Sequence, residues 1–272
     1  MSWLSLLFGA IVGLSLGLTG GGGAIFAVPM LVYGLGMATR EAVGVSLISV
    51  GITSLVGFVG RWRSGQVEVR TGLLFAVAGM IGAPLGSWLA GQIPEVVLLT
   101  LFALLMVTVA YRMWIKATAV AQEAMVCSVV SSEDDGPSCQ RDADGNLWLT
   151  SHCARLLLAV GVLTGVLSGL FGVGGGFVIV PALITFSGMA IHRAVGTSLM
   201  VITLLSVSGV MFHVVSGRTI PPEVTALFAV GGVMGMLLGT TISHRLSGPT
   251  LQKSFAVAIL AVATFVLFRT LV

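Results

Sequence analysis

A glycine-rich stretch occurs twice in this chain, 152 residues apart. Residues 17–23 read GLTGGGG, and residues 169–176 read GLFGVGGG. Between 17–47 and 169–199, 16 of 31 positions are identical without a gap. A second block, 75–86 against 228–239, matches at 7 of 12 positions. The chain is therefore an internal duplication, and its fold has to accommodate two related halves.

The composition indicates a membrane protein. Of 272 residues, 56% are hydrophobic and 8% are charged, whereas soluble domains carry roughly 25% charged residues. The net charge of +3 is too small to suggest a nucleic-acid partner, so the expected surroundings are a lipid bilayer. The spacing of the three cysteines fits no zinc or redox pattern. We expect no metal, no cofactor and no enzymatic activity.

Hydropathy divides each half into five apolar segments. In the first half they are 3–18, 24–36, 45–60, 73–91 and 95–115, and in the second half they are 154–170, 177–189, 197–215, 224–243 and 252–271. We therefore predict an N-terminal transmembrane repeat at 1–115 and a C-terminal transmembrane repeat at 154–272. Residues 116–153, which contain the long polar stretch, form a predicted cytoplasmic linker.

The glycines decide how residues 3–36 cross the bilayer. A span needs about 20 apolar residues, so this stretch is too long for one upright helix, and each of its pieces is short. Either it forms one span and the two halves share an orientation, or the chain turns back at the glycines and the second half is inverted. Loop Lys and Arg residues divide 10 to 3 in the inverted arrangement and 9 to 4 in the parallel one, a slight preference for inversion.

Two short helices meeting at glycines form a natural hairpin, and this geometric argument favours inversion more strongly. The predicted fold is an all-α polytopic membrane protein with two inverted-topology repeats. Each repeat is a broken or re-entrant helical hairpin plus three transmembrane helices. Both termini and the loop at 37–44 would then lie outside, and 116–153 inside.

The glycine runs are candidate anion sites. A helix N-terminus presents unpaired N–H groups and partial positive charge, and successive glycine N–H groups can form an anion-binding nest. Inverted halves would bring both hairpin tips to one central site. Close helix packing is an alternative role for the glycines, whereas no strand–helix unit supports a dinucleotide fold. The candidate ligands are Thr19, Gly20, Gly21, Gly22, Gly23, Ser46, Phe171, Gly172, Gly174, Gly175, Gly176, Thr197 and Ser198.

Polar side chains near the tips have two interpretations. Ser46 and Ser198 are repeat equivalents, and they either donate to an anion or bond their own backbone. Arg40, His192 and Arg193 occupy equivalent predicted loops after the hairpins, where they steer anions at the mouths or anchor helix ends. No carboxylate falls at a predicted midplane, which favours an anion held by backbone and hydroxyl groups.

Three motifs stand out in the two halves: the glycine run at 20–23 with Val28 and Pro29, the run at 172–176 with Val180 and Pro181, and the AVGTSL stretch at 194–199. Together they resemble the TauE/SafE family of sulfite exporters and organosulfonate permeases. The resemblance covers both halves but not 116–153. Two differences between the halves matter for the site: Gly21 matches Val173, and Val45 matches Thr197. The two tips are therefore unequal.

The resemblance implies a multi-pass protein of a bacterial inner membrane that transports small sulfur-containing anions such as sulfite or organosulfonates. We expect half-helix N-termini at the glycine-rich tips to hold the anion in an alternating-access cycle. The alternatives are a channel-like anion pathway and a membrane scaffold that uses the central loop. The sequence is also compatible with a homodimer.

Overall fold

In a computed structural model, the described residues are 2–94, 97, 98, 100, 101, 103–108, 110, 111, 151–171, 176–187, 189, 191–215, 220–243, 257, 260, 261, 263 and 264. All regular structure among them is helical. Of the linker predicted at 116–153, residues 116–150 lie outside this described part, and so do the tip residues 172–175.

The helices of the two halves correspond one to one. In the first half they are α1 (Ser2–Thr19), α2 (Ala24–Pro29), α3 (Thr39–Arg63) and α4 (Val69–Ala90), and a π-helical turn, Met30–Gly34, continues α2. In the second half they are α5 (Ser151–Phe171), α6 (Gly176–Ser187), α7 (Ile191–Val215) and α8 (Pro222–Ser243). Described residues between 97 and 111, and between 257 and 264, are also helical.

The predicted segments match these helices, with corrections at their starts. α3 begins at Thr39 and α7 at Ile191, about six residues before the predicted apolar segments. The predicted loop at 37–44 is therefore mostly the first turns of α3. α5 begins at Ser151, three residues before the predicted repeat boundary. Hydropathy missed these turns because their polar residues end the apolar window while the backbone remains helical.

Each half packs its first helix on the third long helix of the other half. α1 contacts α8, and α5 contacts α4. Glycines make both contacts close. Gly13 faces the backbone of Gly232, and Gly165 faces the backbone of Gly79. These glycines allow the helix backbones to touch, as small residues do where helices pack closely in membranes.

The centre of the fold is the pair formed by α3 and α7. A methyl group on Gly44 would lie 2.5 Å from Nε2 of His213, and one on Gly51 would lie 2.8 Å from Cβ of Ser206. Further along, Gly57 faces Leu199. Residue numbers rise along α3 as they fall along α7. These two repeat-equivalent helices therefore run antiparallel.

Four described helices, α3, α4, α7 and α8, are long and apolar enough to cross a membrane. Their outward faces carry exposed large apolar side chains such as Ile52, Ile81, Met211 and Leu238, as a lipid environment requires. α1, α5 and the helical stretch Ala24–Gly34 are also apolar but shorter. The short helices end and begin at the glycine runs.

Candidate functional site

The first glycine tip is a buried turn between α1 and α2. Gly20 has a φ of +75°, a left-handed conformation that favours glycine. Its N–H donates to the Leu16 carbonyl oxygen at 2.7 Å. The Thr19 hydroxyl donates to the Ser15 carbonyl oxygen at 2.7 Å and accepts from the Gly22 N–H at 3.1 Å. Thr19 is therefore committed to shaping the turn.

Several backbone donors at this tip have no acceptor in the described part of the chain. The Ile25 N–H donates to the Gly22 carbonyl oxygen at 3.2 Å, and the Phe26 N–H donates to that of Gly23 at 3.1 Å. Among the described residues, none accepts from the N–H groups of Gly21, Gly23 or Ala24. Residues 20–23 are buried. Buried N–H groups at a helix start form the kind of site that accepts an anion.

The two hairpins meet at glycine. Gly21 lies directly against the backbone of Gly176, the first residue of α6, and a methyl group on Gly176 would lie 2.9 Å from Cα of Gly21. Phe171, the last residue of α5, is buried. The predicted ligands Gly172, Gly174 and Gly175 lie outside the described residues. The described ends of both hairpins thus come together, as the sequence predicted.

Ser198 ties the first tip to α7. Its hydroxyl is fully buried and lies 2.5 Å from the Gly20 carbonyl oxygen and 2.8 Å from that of Val195. Both contacts are to backbone acceptors, so this hydroxyl already has partners. Val195 itself packs against Gly20. These contacts indicate that Ser198 positions the tip.

Ser46, the repeat equivalent of Ser198, has a different environment. Its side chain is fully buried, and its Oγ has no hydrogen-bond partner in the described part of the chain. An unsatisfied buried hydroxyl costs about 1–3 kcal/mol. Such a group is retained more readily where a ligand supplies the missing bond.

Thr197 is used elsewhere in the fold. It is fully buried, and its Oγ1 accepts from the N–H of Glu68 at 3.0 Å. Glu68 is the residue that precedes α4, so Thr197 satisfies one of the free N–H groups at the start of that helix.

The predicted mouth residues lie on helices. Arg40 is in the first turn of α3, and His192 and Arg193 are in the first turn of α7; all three are exposed. Their placement in loops was wrong, because both helices begin earlier than the apolar windows. Arg40 lines a cleft of about 110 Å³ together with Thr39, Ser87 and Gly169, among others.

This cleft continues inward. A smaller cavity shares Val43, Ser87 and Gly169 with the cleft of Arg40 and extends to Ser168, Ser208 and His213. His213 is almost fully buried in the last turn of α7. No sequence signal identified Ser87, Ser168 and Ser208, because isolated serines in apolar helices usually bond their own backbone.

Arg61 follows the apolar segment predicted at 45–60 and is one of the predicted loop charges. The structure corrects this prediction, because Arg61 is buried in the last turn of α3. The described carboxylates Glu41, Glu68 and Glu223 all lie at helix starts.

A family model for the sulfite exporter TauE/SafE matches residues 5–266. The chain belongs to this family. A probable membrane transporter protein of Xylella fastidiosa strain Temecula1 is 34% identical over 268 residues, covering 96% of this chain and 93% of that protein. Probable membrane transporter proteins of Haemophilus influenzae (29% identical, 96% of each chain) and Bacillus subtilis (YunE; 26% identical, 99% and 98%) are also similar. No solved structure matches the chain significantly.

Proposed function

We propose that this protein is a secondary transporter of small sulfur-containing anions such as sulfite or organosulfonates. Membership of the sulfite exporter family supports the substrate class. The relatives, which match this chain over nearly their whole length, are named as probable membrane transporter proteins. The observation that carries the site is the contact between Gly21 and Gly176, where both hairpins end.

The proposed binding site consists of neutral donors. The N–H groups of Gly21, Gly23 and Ala24 point from the first tip, and the Ser46 hydroxyl is buried without a described partner. The second tip, at 172–176, is proposed to contribute equivalent N–H groups. Neutral donors bind an anion without the strong attraction of a buried ion pair, which would slow release. A transport cycle requires both binding and release of the anion, and neutral donors permit both.

We propose that the two repeats are inverted in the membrane. The support is the antiparallel course of α3 and α7, which are equivalent in sequence. An inverted pair produces alternating access when one repeat rocks against the other around a fixed site. Reporter fusions after residues 37 and 125 test the arrangement. Opposite sides are expected for the two positions, and the same side for both contradicts it.

We further propose a bacterial inner-membrane location for this activity.

Uptake of radiolabelled sulfite and sulfoacetate into proteoliposomes tests the transport function. Saturable uptake with counterflow is expected, whereas single-channel currents would indicate a channel. Gly22→Val should abolish uptake while expression stays intact, and Gly60→Val is the matched control because Gly60 faces open space. Normal uptake by Gly22→Val would refute the site.

A further inference from the structure

Arg61 is a buried cation near the first tip. Its side chain is 4% exposed. Nη2 donates to the Gly17 carbonyl oxygen at 3.3 Å, and Nη1 donates to Oε1 of Gln66 at 3.4 Å. The third guanidinium nitrogen, Nε, is buried and has no partner among the described residues.

The charge of Arg61 has no counter-ion among the described residues. No described carboxylate pairs with it, and the next acid along the chain, Glu68, accepts from the Thr71 hydroxyl at 2.5 Å. A buried guanidinium without a counter-ion is costly, and in a membrane protein such a group usually lies on a substrate path. An anion would neutralise it and would also satisfy Nε.

The contacts of Arg61 place it beside the tip. Gly17 is in the last turn of α1, three residues before Gly20, which at 1.5 Å per residue is about 4.5 Å along the helix. The other partner, Gln66, packs its backbone carbonyl against Gly196. The neighbouring Val195 packs against Gly20. The guanidinium therefore lies within about one helical turn of the glycines.

The repeat gives Arg61 a counterpart. The same 152-residue offset that relates the glycine runs relates Arg61 to His213, which is 2% exposed and lines the cavity that leads inward from Arg40. Both residues are in the last turns of α3 and α7. Because these helices are antiparallel, the two basic residues lie at opposite ends of the central pair.

We infer that Arg61 is an anion-binding residue on the substrate path. It contacts the substrate as the substrate passes between the first tip and the C-terminal end of α3. Nε and the adjacent edge of the guanidinium bind an oxygen of a small oxyanion, while Nη2 keeps the end of α1 in place. His213 occupies the corresponding position on the approach from the opposite side. The inference rests on the proposed function and adds a charged contact to a site otherwise made of neutral donors.

A binding titration on the purified full-length protein tests this. Thermal unfolding in detergent is followed with increasing sulfite, and in parallel with sulfoacetate, chloride and nitrate. R61Q should raise the half-saturating sulfite concentration by about tenfold or more, with an unfolding temperature without anion equal to that of wild type or higher. R63Q is the matched control, since Arg63 is exposed two residues away, and should bind as wild type does.

An unchanged half-saturating concentration in R61Q overturns the inference. If R61Q is not monodisperse, R61K supplies the same test, because it keeps the charge but loses the planar donor set; weaker binding supports the role and unchanged binding overturns it. A wild-type protein that binds chloride or nitrate but no sulfur anion refutes the proposed substrate, and loss of that binding in R61Q still supports Arg61. A wild-type protein that binds no anion refutes both.

Discussion

The left-handed glycine at the first tip allows a paired test of how tightly the hairpin is held. Gly20 and Gly36 both have positive φ, +75° and +68°, but a methyl group on Gly36 would meet nothing within 4 Å. On Gly20 the same methyl would lie 2.7 Å from both Cα and Cβ of Val195. Non-bonded carbons rest at about 3.5–4.0 Å, so α7 would have to retreat by about 1 Å.

These distances set the expected magnitudes. Gly36→Ala should cost about 1–2 kcal/mol, the left-handed backbone penalty alone. Gly20→Ala should carry the same backbone penalty and lower the free energy of unfolding by about 1–3 kcal/mol more, because its methyl group overlaps with α7. It should also reduce anion uptake. Equilibrium unfolding of both variants in mixed micelles measures the difference. Adding Val195→Ala to Gly20→Ala should recover little, because the Cα and Cβ of residue 195 remain.

Equal destabilisation by Gly20→Ala and Gly36→Ala would refute the reasoning. It would mean that the first tip is not packed against α7 and that the position of Gly20 depends on its own backbone only. Full uptake by a folded Gly20→Ala protein would separately refute the link between this packing and transport.

Four further substitutions, one of them a control, test other parts of the structure. Gly165→Ala should destabilise the fold by about 1–3 kcal/mol, because its methyl would lie 2.6 Å from a backbone Cα, whereas Gly60→Ala faces open space and should be neutral or slightly stabilising in unfolding experiments. Ser46→Ala should leave stability unchanged or raised while weakening anion binding, and weakened stability with normal binding would show that this hydroxyl is purely structural. Thr197→Val should cost about 1 kcal/mol by removing the acceptor for the Glu68 N–H; no loss of stability would contradict that contact.

The sequence predicted the hairpin break well because its signal is local. A run of glycines inside an apolar stretch interrupts the helix wherever it lies, and Gly20 has the backbone conformation that such a run permits. The repeat also predicted that the tips approach each other, as the contact between Gly21 and Gly176 shows. Helix starts were predicted less well, because Thr39 and Ile191 begin helices whose first turns are polar.

The environments of individual polar residues could not be predicted from the sequence. Arg61 is followed by Trp62 and Arg63 and has the appearance of a loop residue, yet only Arg61 of the three is buried. The one sequence signal was that the repeat aligns Arg61 with His213. This alignment indicates equivalent positions at opposite ends only when the antiparallel course of α3 and α7 is known. Likewise, Ser46 and Ser198 are repeat equivalents in similar sequence contexts, and only the fold shows that the Ser198 hydroxyl has hydrogen-bond partners while the Ser46 hydroxyl has none among the described residues.

The first helix of each half packs against a helix of the other half, and this arrangement has a consequence for synthesis. α1 leaves the ribosome about 200 residues before the end of α8, its packing partner. At 5–20 residues per second, this interval is about 10–40 s. During that time the glycine face of α1 must remain in the bilayer without its native contact. The first helix made is therefore among the last to be locked in place, and an isolated N-terminal half would lack the surface that completes it.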